Sequence, residues 1–128
     1  MTSIQVAASI PEALERSAAT GSGVTLIDRQ LTQRRFSYEE ILESGLRVAS
    51  GLRDRGVGRG DRVCLLGPTT VELVAALYGT WLAGAAPVVL PLPRRQSELP
   101  AFISDVADRV RRSQAAVLAV SELLLDQA

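Results

Sequence analysis

The residues best placed to do chemistry in this sequence are the adjacent arginines Arg94 and Arg95. They follow the turn Pro91-Leu92-Pro93, directly after an apolar run, Pro87 to Leu90, that reads as a buried strand. Ligands of open α/β sheets collect beyond the carboxyl ends of strands, where two guanidinium forks suit a phosphate. A solvated loop pair is the alternative. Gly67-Pro68-Thr69-Thr70 has the strand-to-helix order that aims helix amides at an anion. It lacks the glycine spacing and the lysine of a phosphate loop, and so reads as a helix cap. Gly56-Val57-Gly58-Arg59-Gly60 has the opposite order, helix before strand, and reads as a helix-terminating turn. Cys64 sits inside an apolar run and reads as packing rather than as a nucleophile.

Absent residue types exclude more than present ones assign. All 14 basic side chains are arginines, and the 128 residues contain no Lys, His or Asn. A Ser/His or Cys/His pair, a histidine zinc site, a Schiff-base lysine and a Walker lysine are therefore impossible within this sequence. No metal site is expected. Fourteen acids balance the arginines, which removes the long-range field of a nucleic-acid or acidic-membrane binder. Aromatics, at 4%, are too few for a base-stacking surface. Apolar residues at 47% with 22% charged are the proportions of a folded domain, expected to span 1–128 as one α/β unit. A single cysteine and an amino terminus without an export signal point to the cytoplasm.

Helical and strand patterns alternate along the chain. Ser9 and Pro11 open a short helix running to about Ala19, and Val24 to Asp28 pairs with Arg34 to Ser37 across a polar turn. Ser37 and Glu40 have capping-box spacing, ahead of Tyr38, Ile41, Leu42, Gly45, Ala49 and Leu52 at helical intervals. Glu43 and Arg47 stand one turn apart on the wet side, and Gly56 supplies a left-handed stop. Val63 to Leu66 reads as a strand buried on both faces. Thr69 and Glu72 repeat the capping-box spacing and open a helix closed by Gly84. After Pro87 to Leu90, a helix near Pro100 places Leu99, Ile103, Val106 and Val110 on one face, with Asp105–Arg109 and Asp108–Arg112 on the other. Ala115 to Val120 is a last strand, and Ser121 starts a last short helix. This alternation predicts a mainly parallel sheet flanked by helices.

No charge interrupts Leu73 to Pro93, but Gly79, Gly84, Pro87, Pro91 and Pro93 do, which argues for a buried helix and strand rather than a membrane span. Val71, Val74, Ala75, Tyr78, Trp81 and Leu82 form the expected inner stripe of that helix. Leu73, Ala76, Leu77 and Thr80 fall opposite, so they are expected to face a partner, in the same chain or another.

Phe36-Ser37-Tyr38-Glu39-Glu40-Ile41, Gly60-Asp61-Arg62-Val63, Thr70-Val71-Glu72 and the stretch Leu82-Ala83-Gly84-Ala85-Ala86-Pro87-Val88-Val89-Leu90-Pro91 together resemble the amino-terminal, flavodoxin-like subdomain of the adenylate-forming ligases. That superfamily comprises acyl-CoA synthetases, fatty-acyl-AMP ligases and peptide-synthetase adenylation domains. Pro91 to Arg95 is more similar to the fatty-acyl-AMP ligase branch. The resemblance runs from about Ile10 to Glu122. It implies ATP and Mg²⁺ in the assembled ligase, a carboxylic acid converted to acyl-AMP, and transfer to the phosphopantetheine of an acyl or peptidyl carrier protein. Arg94 and Arg95 are then candidates for the vicinity of substrate or phosphopantetheine.

The family's phosphate loop, its nucleotide contacts and its lysine-bearing carboxyl-terminal domain have no counterpart in these residues, so no catalytic residue carries over. The expectation is the small subunit of a split ligase that needs a complementary chain, motivated by the initiator Met1 and by the stop soon after Ser121-Glu122. Two other readings stay open: a non-catalytic module that binds a ligase or carrier, and a free-standing small-ligand protein.

Overall fold

The computed structural model describes residues 7–92 and 99–125. Helix α1 (Ile10–Ala18) starts where the Ser9 hydroxyl accepts the Glu12 amide at 3.2 Å, with Pro11 in its first turn. An antiparallel ribbon follows, β1 (Gly23–Ile27) with β2 (Gln33–Ser37), in a register that sets Val24 opposite Phe36. Asp28 holds its turn, one carboxylate oxygen accepting the Gln30 and Thr32 amides, each at 2.9 Å. β2 runs straight into α2 (Tyr38–Asp54) through the predicted capping box: Ser37 Oγ accepts the Glu40 amide at 3.1 Å, and the Glu40 carboxylate accepts the Ser37 amide at 3.0 Å. Gly56, at φ +82°, ends this helical segment as expected.

The remainder is a three-stranded parallel sheet with its crossovers. In chain order it comprises β3 (Arg62–Leu66), α3 (Val71–Leu82), β4 (Ala86–Val89), α4 (Leu99–Ser113), β5 (Val117–Val120) and α5 (Glu122–Leu125). The spatial order is β4-β3-β5, so the chain returns across the central strand to add β5. Side-chain alternation along β3 divides the interior in two. Val63 and Leu65 join Ala49 and Leu52 of α2 in one core, while Cys64 and Leu66 join Val106 of α4 in the other. α3 and α4 thus cover opposite faces. This is the expected α/β arrangement, with Val63 to Leu66 of the central strand apolar because neither face meets water there.

The expected outward face of α3 is turned inward. Thr80 is 0% exposed, and Leu73, Ala76 and Leu77 pack half-buried against the sheet-side core. Gly79, on the far side, meets α2. There the helices cross closely: a Cβ at Gly79 would lie 2.5 Å from Val48 Cβ and 2.8 Å from the Gly45 carbonyl oxygen. α3 is apolar nearly all round, Glu72 apart, and it lies between the sheet and α2 of the same chain.

Smaller differences have local causes. Thr70, not Thr69, caps α3, accepting the Leu73 amide at 3.3 Å, so Glu72 sits one position too early for a reciprocal bond. Arg47 bonds Ser44 Oγ at 3.2 Å, and no Glu43–Arg47 ion pair forms. On α4 the pairs Asp105–Arg109 (2.8 Å) and Asp108–Arg112 (3.2 Å) form as expected. Ile103, however, is 59% exposed, and Phe102 takes the inward place beside Val106 and Val110. Arg94 and Arg95 lie outside the described residues. Among the described residues no helix is long and apolar enough to cross a membrane.

Candidate functional site

The topology singles out the carboxyl edge of the sheet between β3 and β5. One crossover leaves β3 toward β4 and the next returns beyond β3, so the helices diverge to opposite faces and leave a crevice there. A hollow of about 130 Å³ occupies it, lined by Leu65, Leu66 and Gly67 at the end of β3, by Thr70, Glu72, Leu73 and Ala76 of the α3 start, and by Ala119, Val120 and Ser121. Two strand ends are clamped together at its rim. The Ser121 amide donates to the Leu66 carbonyl at 2.8 Å, and a Cβ on Gly67 would lie 2.8 Å from Ser121 Cβ. Gly67 is thus required for closeness of approach rather than for an unusual backbone angle.

A second hollow, about 170 Å³, lies between the ribbon and the start of α3, and Thr70 and Glu72 line both. Its ribbon wall includes Asp28, Thr32 and Arg34, whose guanidinium sits 5.4 Å from the centre of the Phe36 ring. Nothing in the sequence pattern announces either hollow, because each is built from segments that only the fold brings together.

The chemistry available at this edge is limited. The Thr70 hydroxyl is occupied as a cap, and Ser121 Oγ accepts the Leu123 amide at 3.3 Å. No imidazole or amine exists to activate either hydroxyl. Cys64 is fully buried, with its sulfur 3.3 Å from Ser113 Oγ on the α4 side. Glu72 is the one charged residue lining the first hollow. A carboxylate there opposes a triphosphate, and the volume falls below the roughly 300 Å³ at which small-molecule pockets begin. The residues lining this hollow do not by themselves fit ATP. Away from the edge, burial and, less strongly, Tyr38 push the Tyr78 phenol above its ordinary value of 10.0. Its ring meets Trp81 edge-on at 5.3 Å. This is a packing environment.

The described residues form a parallel α/β unit with a crevice at the carboxyl edge of its sheet. Comparison with known proteins makes this specific. Residues 14–124 match the family described as AMP-binding enzyme, and the chain belongs to that family. It is 37% identical over 100 residues to syringomycin synthase SyrB1 of Pseudomonas syringae pv. syringae, an alignment covering 71% of this chain and 16% of that protein. It is 41% identical over 80 residues to human Disco-interacting protein 2 homolog B, covering 62% and 5%.

In fold it is similar to a structure from work on fatty acyl-adenylate ligases of E. coli and L. pneumophila, with a TM-score of 0.85 at 22% identity over 92% of this chain and 21% of the other. McyG A-PCP complexed with phenylalanyl-adenylate gives 0.81 at 20% identity, covering 92% and 19%. The fold is that of the amino-terminal subdomain of the adenylate-forming ligases. The chain spans about a sixth or less of these two curated relatives and about a fifth of these two solved structures.

Proposed function

We propose that these residues form the amino-terminal wall of an acyl-adenylating ligase whose nucleotide-binding and lysine-bearing parts lie on a complementary chain. In the reaction proposed, a carboxylate oxygen of the acid attacks the α-phosphorus of ATP. A mixed acyl-phosphate anhydride forms and pyrophosphate leaves. The phosphopantetheine thiol of a carrier protein then attacks the acyl carbon and releases AMP.

The observation that carries this reading is the crevice between β3 and β5. It sits where an α/β sheet receives a ligand, in a chain matched to AMP-binding enzymes from residue 14 to 124, yet it holds no group able to stabilise a transferring phosphoryl. The contribution of these residues is shape: Gly67 and Ser121 fix the two strand ends, and Leu73 and Ala76 wall the apolar side. Work as a separate chain is supported by the interior, which has two hydrophobic cores and, among the described residues, no buried side-chain polar atom without a partner.

Mixing the chain with a polypeptide carrying the remaining ligase motifs and measuring acid-dependent pyrophosphate release tests the proposal. Activity that requires both chains is expected. Release by the second polypeptide alone, unchanged on adding this chain, would overturn it and favour a non-catalytic binding module.

A further inference from the structure

The neutral total charge of the chain hides a division. α2, α3 and α4 each end at the amino edge of the parallel sheet, because each leads into a strand there, and six arginines gather around those ends: Arg53, Arg55, Arg59, Arg62, Arg111 and Arg112. Asp54, Asp61 and Asp108 are the acids among them. Part of this gathering is helix capping, since terminal carbonyls attract cations. Arg53 donates to the Leu82 carbonyl at 2.7 Å, Arg62 to Ser113 at 3.1 Å, and Arg55 to Gly51 at 3.3 Å.

Capping does not exhaust these groups. Each of those bonds uses one of a guanidinium's five donors. Arg59 makes no such bond; its backbone is held against Gly84, whose Cβ position lies 3.7 Å from Arg59 Cα. Arg53, Arg55, Arg59 and Arg62 are all exposed, and among the described residues none has a carboxylate within 4.0 Å. Asp108 is shared by Arg111 and Arg112, and Asp61 is turned back to accept the Gly58 amide at 2.8 Å.

We propose that this amino edge is a docking face for an acidic segment of a partner protein, with Arg53, Arg55, Arg59 and Arg62 receiving its Asp and Glu carboxylates. Backbone-anchored planar forks match separate carboxylates bidentately. A single-stranded nucleic acid fits worse, since residues 53–62 contain no aromatic for a base to stack on. The face lies at the opposite end of the strands from the two hollows, so it can be occupied while they are, and it does not depend on the ligase reading.

Fluorescence anisotropy of a labelled Glu/Asp-rich peptide with the full chain tests this. Binding is expected, weakening as salt rises from about 0.05 to about 0.2 M. The double variant Arg55→Glu/Arg59→Glu should bind at least about tenfold more weakly, while Arg29→Glu, in the ribbon turn, stays within about twofold. Should the double variant lose its circular dichroism signal, Arg59→Gln, which removes no backbone bond, carries the comparison. Absence of peptide binding, equal loss with Arg29→Glu, or tighter Arg59-dependent binding of a single-stranded oligonucleotide or of phosphatidylserine vesicles would overturn the proposal.

Discussion

Gly67 is confined to a hydrogen side chain by a residue 54 positions later in the chain. Alanine there would place its Cβ 2.8 Å from Ser121 Cβ, and the turn cannot retreat without stretching the 2.8 Å bond from the Ser121 amide to the Leu66 carbonyl. Gly67→Ala should therefore cost about 1–3 kcal/mol in urea unfolding, the usual range for overpacking. Ser121→Gly removes the opposing carbon, so the double variant should regain much of that loss; simple additivity would refute the contact. Tyr78 makes a separate residue-scale prediction. Its phenol is raised in the folded state by burial first and by Tyr38 second, so the native form holds its proton longer than the unfolded chain does. The resulting stability is complete below the ordinary value of 10.0 and is lost as pH climbs through the higher folded value. Thermal melts taken upward from pH 9 should steepen in their decline above about 10, and Tyr78→Phe should flatten that part of the curve.

Among the elements, those with explicit punctuation were legible from sequence. The Ser37–Glu40 box is readable because both partners and the apolar run behind them stand at fixed spacing, and it forms with bonds of 3.0 and 3.1 Å. Ser37→Ala should cost about 1 kcal/mol by denaturant titration, with helical signal lost in proportion. The orientation of α3 was not legible, for a physical reason. A helix carries phase information only if one side is polar, and α3 has apolar residues nearly all round, lying between two layers of its own chain. The adjacent threonines left its start open by one residue in the same way, since either can cap. The orientation now observed separates interior from interface by experiment. Thr80 is fully buried with its hydroxyl on the Ala76 carbonyl at 2.8 Å. Thr80→Arg should prevent folding, whereas an interface position would give a folded chain that merely fails to assemble.

For the molecule as a whole, the strand sequence was legible but the site was not. The crevice depends on β5 landing beside β3 rather than beside β4, and it joins Gly67 to Ser121, residues with no local pattern in common. Arg53, Arg55, Arg59 and Arg62 stand close together in the sequence, but that Arg53 reaches the end of α3 and Arg62 the end of α4 emerges only once the crossovers close. The same topology makes β3 the structural axis, with the two cores on opposite faces of one sheet to which β3 and β5 both contribute. If they are one cooperative unit, neither face of β3 can be uncovered while the other stays packed. Cys64 tests this, because it is the only cysteine, is 0% exposed, and belongs to the α4-side core. A thiol reagent should leave the native protein unlabelled. Across a urea series, labelling should rise along the same curve as the loss of helical circular dichroism, about half of which reports α2 and α3 on the opposite face. Labelling that clearly precedes that loss would mean that α4 lifts from the sheet independently, and the two cores would then be separate units sharing a sheet.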